Sequence, residues 1–493
     1  MKTRSIHILT AWCLALLVSV GGCDSFSEIN ENPNAPEVVP ENLQLSALLG
    51  TFGYEMIGND PTRTPVHWVQ QLAFSGTPPS EDNYDHDESD VNNLWTFTAY
   101  TDVMHNAKTL SEQAESNGNF AYAAIAKTIL AWSLGIVTDL WGDVPYSEAF
   151  NPDNPTPAYD AQEQVYAAIF DLLNQAAAQY DQPSPLSPGS DDLLYGGDMD
   201  NWKKLTYTVL ARFHMHLTHA PGNSAADRAQ QALAALQNGF TSNAEDADFA
   251  YFNAPDAENP WYQWVIDGVW DTRNQLSVHY VDLLKARDDP RLPIQARPVG
   301  AVDGNGLVPG FTTDDPVYAG HQNGVSGAGA NTISSIGVFY SAPDAPLTWI
   351  SYAEARFIEA EATLITSGPD AAASLLVEAI TASMDKLGVD PADRDAYLAA
   401  RPALTDANAL EEIMIEKYIA NFLNLETYND WRRNGFPVLE PVTNQARATR
   451  IPLRYPYPSS ELANNPDNVN ATGIPLGLAA LEAPVWWDTT TNP

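Results

Sequence analysis

From Asn119 to Trp141 the chain carries one helical pattern with no proline inside it, rich in Ala121, Ala123, Ala124, Ala126 and Ala131. Alanine is the strongest helix former, and its small side chain lets neighbouring helices come close. The pattern stops at Gly142, a residue able to adopt a left-handed cap, with Pro145 beyond it. So apolar a segment must be covered by other helices. Similar patterning predicts them at 160–180, 202–217, 225–236, 349–365, 370–387 and from Asn408 to about Leu425. In 349–365, Ile350, Ala353, Phe357, Ala360 and Leu364 fall on one stripe, and Asn408 with Glu411 has the spacing of a capping box. The expectation is a mainly α fold of paired antiparallel helices.

Residues 241 to about 346 differ. Gly and Pro punctuate them, with nine glycines between Gly300 and Gly337, and the helical period is weak. A loop-rich insertion of this length is more often functional than a plain connection. The tail from Asn434 is again predicted as loop, with Pro437, Pro441, Pro452, Pro456 and Pro458.

The N-terminus reads as a targeting segment. Lys2 and Arg4 precede an apolar stretch from Ile6 to Val20, right for a signal peptide over residues 1–22 and too short for a bilayer span. Val20-Gly21-Gly22-Cys23 then has the form of a bacterial lipobox, whose Cys thiol accepts a diacylglycerol. Cys13 would leave with the signal, so Cys23 would be the one remaining Cys, carrying lipid and forming no disulfide. No other long apolar run is evident, which makes the lipid the expected membrane attachment. Residues 23–42, with Asn32-Pro33-Asn34-Ala35-Pro36, read as a tether, and 43–493 as one helical domain.

Charge limits the partners. The chain has 63 Asp and Glu against 24 Lys and Arg, a formal charge of −39, which becomes −41 once Lys2 and Arg4 are lost. A polyanion does not dock on a phosphate backbone, so nucleic acid is not expected as a partner. Only eight of the basic residues are Lys. An acid-rich, Lys-poor surface suits concentrated salt, which screens self-repulsion; plain acidity is the alternative. At 44% hydrophobic residues the chain is nevertheless rich enough to build a core.

Three constellations stand out. Trp141-Gly142-Asp143-Val144-Pro145-Tyr146-Ser147 is a helix stop followed by a turn, with Ser147 as a potential cap; it serves either as a plain turn or in binding. In Trp349–Ala362, Glu354 and Glu361 flank the apolar stripe while Glu359 faces away. They lie about 10 Å apart along the axis, which neither makes nor excludes a glycosidase pair, and structural bonding is favoured. In Trp431-Arg432-Arg433-Asn434-Gly435-Phe436-Pro437, two Arg complement a helix C-terminus and are candidates to pair with Glu354, Glu361 or Glu461.

These motifs occur in one order with the lipobox, Asn32-Pro33-Asn34, Tyr457-Pro458-Ser459-Ser460-Glu461 and Val485-Trp486-Trp487-Asp488. The ordered set resembles the SusD/RagB family of nutrient-binding outer-membrane lipoproteins, in its SusD-like branch. One departure is Asn434, where the family usually has Thr. The resemblance implies a tetratricopeptide-like scaffold of helical hairpins with long irregular ligand-binding loops. It implies a lipid-anchored protein on the cell surface that works with a TonB-dependent SusC-like transporter. It further implies capture of an oligosaccharide, or in some relatives a peptide, with no enzymatic activity and no cofactor. The matched motifs lie on the scaffold and carry no ligand residues across.

Ligand candidates come from composition instead. Trp261, Tyr262, Trp264 and Trp270 crowd one stretch of the insertion, and Trp68, Tyr84, Trp95 and Tyr100 form a second group beside Asn92 and Asn93. Aromatic rings stack on the apolar faces of sugars and amides bond their hydroxyls, although the same rings serve equally well as core or interface. The expected ligand residues are Trp261, Trp264, Trp270, Trp95, Tyr84 and Asn92. No metal site is expected. His214 and His216 project to opposite sides of a helix, and in Asp303-Gly304-Asn305-Gly306 the calcium-loop pattern breaks at Leu307. A secreted helical glycoside hydrolase and a protein-binding repeat scaffold are the competing readings.

Overall fold

A computed structural model describes residues 39–267, 272–327 and 329–490. The expected signal peptide, Cys23, nearly all of the tether and Trp270 therefore lie outside the described residues. Among the described residues eighteen α-helices dominate, including α1 (Glu41–Thr51), α2 (Asp60–Trp68), α3 (Asn106–Asn117), α4 (Phe120–Trp141), α5 (Gln162–Gln179), α6 (Met199–His216) and α7 (Ala225–Leu236). Three two-stranded antiparallel ribbons are the only ladders among the described residues; one pairs Leu72–Phe74 with Asn274–Leu276 and ties the insertion to the N-terminal part.

Helix α4 is the axis of the fold. It packs against α3 on one side and α5 on the other, and also meets α6. Nearly every side chain on it is buried. It is long and apolar enough to cross a bilayer, contrary to the expectation that no other such run exists, but its surface is covered by protein. Small residues do what the sequence suggested. A Cβ placed on Gly135 would sit 2.1 Å from the Phe213 ring on α6, so only glycine allows this approach. Gly142 closes the helix at φ +80°, where a side chain would be strained.

A second layer is built by α8 (Val278–Ala286), α9 (Leu292–Gln295), α10 (Val338–Ser341), α11 (Tyr352–Ser367) and α12 (Pro369–Leu387). The turn at Gly368 folds α12 directly back on α11. Helix α11 stands between two apolar clusters. Ala355, Ile358 and Ala362 face the main core, whereas Phe357 and Ala360 face a smaller one made with Ala372, Ile380 and Met384 of α12. The main core gathers residues from Leu45 to Trp487.

Some boundaries differ from expectation. The helix expected from Asn408 to about Leu425 is α14 (Ala409–Ala420) and ends earlier, while α13 (Pro391–Ala399) before it and α15 (Glu426–Asn434) after it are separate helices outside the expected ranges. Asn408 does not cap α14; its Oδ1 accepts from Thr405 N–H instead, 2.7 Å away. The tail read as loop contains α16 (Ser459–Asn464), α17 (Pro466–Ala471) and α18 (Leu478–Leu481), each too short to show a period. Ser147 caps no helix; its hydroxyl donates to Asp160 Oδ1 at 2.6 Å.

Candidate functional site

The corner after α4 is knitted to the C-terminal tail. The Trp141 indole donates to the Pro456 carbonyl at 2.8 Å, and the Tyr457 hydroxyl donates to the Asp143 carbonyl at 2.7 Å. Asp160 accepts from the backbone N–H groups of Tyr146 and Ser147, which fixes the turn. A wide π-helix, Leu94–His105, runs directly into α3 and borders this corner. Such turns are frequent at functional sites because they displace side chains from the ordinary helical stripe.

Between the π-helix and the corner lies an open cleft of about 440 Å³. Its walls are Trp95, Tyr100, His105, Pro145, Phe150 and Glu461. Trp95 stacks near-parallel on Tyr159 at 6.2 Å, and Tyr100 leans on it at 4.9 Å. Tyr100 continues to Phe150 at 6.0 Å, and Phe150 to His105 at 6.0 Å. Phe150 is held at φ +63°, an unfavourable conformation for a bulky residue and one found at ligand clamps.

The polar side is equally organised. Asn92 Nδ2 donates to Ser459 Oγ at 2.7 Å, and its Oδ1 accepts from Ser460 N–H at 2.9 Å. That clamp starts α16 beside the π-helix and delivers Glu461 to the cleft. The Tyr159 hydroxyl donates to Glu461 Oε2 at 2.8 Å. Burial and the adjoining Glu461 hold the Tyr159 phenol far above its ordinary pKa, so it remains a donor. Flat apolar rings beside a half-exposed carboxylate match the two faces of a sugar, C–H on one side and hydroxyl on the other.

The sequence candidates separate in space. Trp95 is 3% exposed and forms the inner wall, and Asn92 positions Glu461. Tyr84, 1% exposed, lies in the core, its oxygen accepting from Val442 N–H at 3.0 Å. Trp261 is also core, 2% exposed beside a cavity of only about 60 Å³. Trp264 is buried beneath the Arg63 guanidinium, 3.6 Å from the ring centre. Composition reveals aromatic density but not which ring faces outward. Phe150 and Glu461 were missed as site residues because distant segments of the chain bring them to Trp95, and His105 because the π-helix that carries both it and Trp95 has no 3.6-residue period.

The charged motifs are structural. Arg212 holds Glu354 at two points, and Arg433 does the same for Glu361 while also bonding Asp430 at 2.8 Å. Both glutamates are fully buried in these pairs and unavailable to a substrate. Glu461 bonds Tyr159 rather than an arginine. His216 bridges Glu426 Oε1 at 2.8 Å and Asp139 Oδ2 at 3.1 Å, whereas His214 stacks on Phe170. Asp303 and Gly306 are the paired ends of a tight hairpin.

A family described as starch-binding and associating with the outer membrane matches residues 33–458. The chain belongs to the SusD/RagB family. Solved structures agree with this assignment. A SusD/RagB family protein from Bacteroides thetaiotaomicron is 25% identical, with 92% of this chain and all of that chain covered and a TM-score of 0.77. A structure described as a chitin-binding protein is 26% identical over the same shares, with a TM-score of 0.74. A Bacteroidetes SusD-like protein, 19% identical, shares the fold with a TM-score of 0.76. No curated protein gives a significant match. SusD/RagB membership makes this a protein of a carbohydrate-binding, outer-membrane-associated class, and its helical scaffold is that of the family.

Proposed function

We propose that this SusD-like protein is a lipid-anchored receptor on the outer face of the outer membrane. It captures an oligosaccharide without turning it over and passes it to a TonB-dependent SusC-like transporter. The anchor is Cys23. The ligand lies in the cleft between the π-helix and the corner after α4, with Tyr100 and Phe150 as its aromatic face, the buried Trp95 backing them, and Glu461 as its hydroxyl acceptor. Asn92 acts indirectly by holding the segment that carries Glu461.

The observation that carries this reading is the cleft itself, in which four aromatic or imidazole rings and one carboxylate converge on an open volume of about 440 Å³. Support comes from the family description and from the 26% identical structure named for chitin binding. The test is to incubate the purified protein with a panel of soluble oligosaccharides and to follow both binding and ligand mass. Retention of an intact glycan supports the receptor. Shortened products favour the hydrolase, and no retention of any glycan favours a scaffold that binds only protein.

A further inference from the structure

A pocket of about 340 Å³ opens where the corner after α4 meets the start of α5 and the C-terminal tail. Gly142, Asp143, Arg454, Ile474 and Trp486 line it, with Glu163 from the first turn of α5. No residue lines both this pocket and the cleft; the nearest in sequence are Asp143 here and Pro145 there.

Trp486 is the one tryptophan among the described residues that is not buried. It packs against the main core and lines the pocket. It stacks on no other ring, and its indole N–H meets no acceptor among the described residues. The indole N–H groups of Trp261 and Trp349 also lack an acceptor, but they are sealed inside the protein, whereas that of Trp486 is not. A half-exposed indole that the fold leaves uncommitted offers a surface on which the C–H face of a sugar stacks.

Polar groups flank the ring with atoms to spare. Asp143 is half-buried; its Oδ1 accepts from Gln162 N–H at 2.9 Å, while its Oδ2 meets no donor and is not sealed from solvent. Burial raises this carboxyl above the usual carboxylate range, and the Gln162 bond and Arg454 oppose the rise. Glu163 is exposed and takes part in no hydrogen bond or ion pair among the described residues. Arg454 borders the pocket behind Gly142, where an added Cβ would stand 3.2 Å from its Nη1. Its Nη2 donates to the Trp141 carbonyl and its Nε to the Tyr455 carbonyl, and it pairs with no carboxylate among the described residues. This buried positive charge disfavours a cation, and the two carboxylates disfavour an anion. The chemistry that fits is a neutral group rich in hydroxyls.

We infer that this pocket is a second saccharide subsite, taking one neutral sugar residue that stacks on Trp486 and donates hydroxyls to Asp143 Oδ2 and Glu163. The inference takes its ligand class from the receptor reading above and does not depend on the cleft.

The experiment joins footprinting to calorimetry on the purified protein. Maltohexaose, cellohexaose, xylohexaose and chitohexaose are the neutral probes, and hexagalacturonate is the acidic one. Mild oxidation followed by peptide mass mapping reads the modification rate of Trp486 with and without each probe. A neutral glycan that binds should slow that rate severalfold. Trp486→Ala and Asp143→Asn should each weaken its binding by about tenfold, the scale of one stacked ring or one charge-assisted hydrogen bond. Asp143→Asn keeps the shape of the side chain, and thermal melting checks the fold of both variants. If a glycan that binds leaves the Trp486 rate unchanged, or if both variants bind it as wild type does, the subsite is overturned and the receptor reading stands. Protection by hexagalacturonate and by no neutral probe overturns the neutral assignment. If no probe binds, both readings fall.

Discussion

Arg212 and Glu354 meet through both arms of the guanidinium, Nε to Oε1 and Nη2 to Oε2, each at 2.7 Å, and neither side chain reaches solvent. The two residues lie on α6 and α11, so the pair fastens the insertion-flanking layer to the central one. A buried ion pair is often no more stabilising than a well-packed apolar substitute, but removing one partner strands the other. Glu354→Ala should therefore cost about 3–5 kcal/mol in urea unfolding. A loss below about 1 kcal/mol would show that the pair does not fasten the layers.

His216 predicts a pH dependence. Burial alone would lower its pKa, but Glu426 and Asp139 outweigh burial and raise it to about 9. Glu426 is correspondingly held well below the ordinary carboxylate range: burial opposes this, and His216 overcomes it. With the folded pKa raised above an unfolded value of about 6.5, the stabilisation is fully present below that value and fades as pH rises through about 9. Wild type should thus exceed His216→Gln in melting temperature at neutral pH, and the gap should narrow toward and beyond about pH 9. A gap that is constant with pH contradicts a charged His216.

The scaffold was legible in the sequence where helices are long. The run at α4 ended as expected, at a glycine with φ +80°. The pairing of Arg433 with Glu361 was one of several that the sequence left open between Arg432 or Arg433 and Glu354, Glu361 or Glu461. The π-helix at Leu94–His105 was not legible, because its wider turns do not repeat every 3.6 residues. Helices α1, α3 and α8 were also missed; α1 has almost no separation of apolar and polar faces, and its burial comes from tertiary packing. At the site, Trp95, Tyr100 and Asn92 could be picked out locally. Glu461 could not, since it reaches the cleft only through the Asn92 clamp.

A formal net charge of −39, or −41 if the proposed signal peptide is removed, implies strong self-repulsion at low ionic strength. The Debye length falls from about 10 Å at 0.1 M to about 3 Å at 1 M salt. Melting temperature should rise as NaCl increases into the molar range. A flat or falling profile removes the salt-adaptation reading.

The proposed lipidation at Cys23 makes a cellular prediction. Cys23→Ala should abolish metabolic lipid labelling and leave the protein unprocessed or released from the outer membrane. A variant that still labels and still partitions with outer membranes contradicts the lipobox.

The cleft is tested most directly by paired affinity and stability measurements on Phe150→Ala, Glu461→Gln and Trp261→Ala. Calorimetry against the glycan retained by wild type gives the first quantity, and thermal and urea unfolding give the second. Loss of a stacked ring should weaken binding by about 1–3 kcal/mol, on the scale known for stacking of other ligands. Phe150→Ala and Glu461→Gln should therefore lose affinity while their unfolding stays close to that of wild type. Trp261→Ala, a cavity in the core, should lose about 3–5 kcal/mol of stability and show no selective loss of affinity. If Phe150→Ala and Glu461→Gln bind the glycan as wild type does, the cleft is not the receptor site.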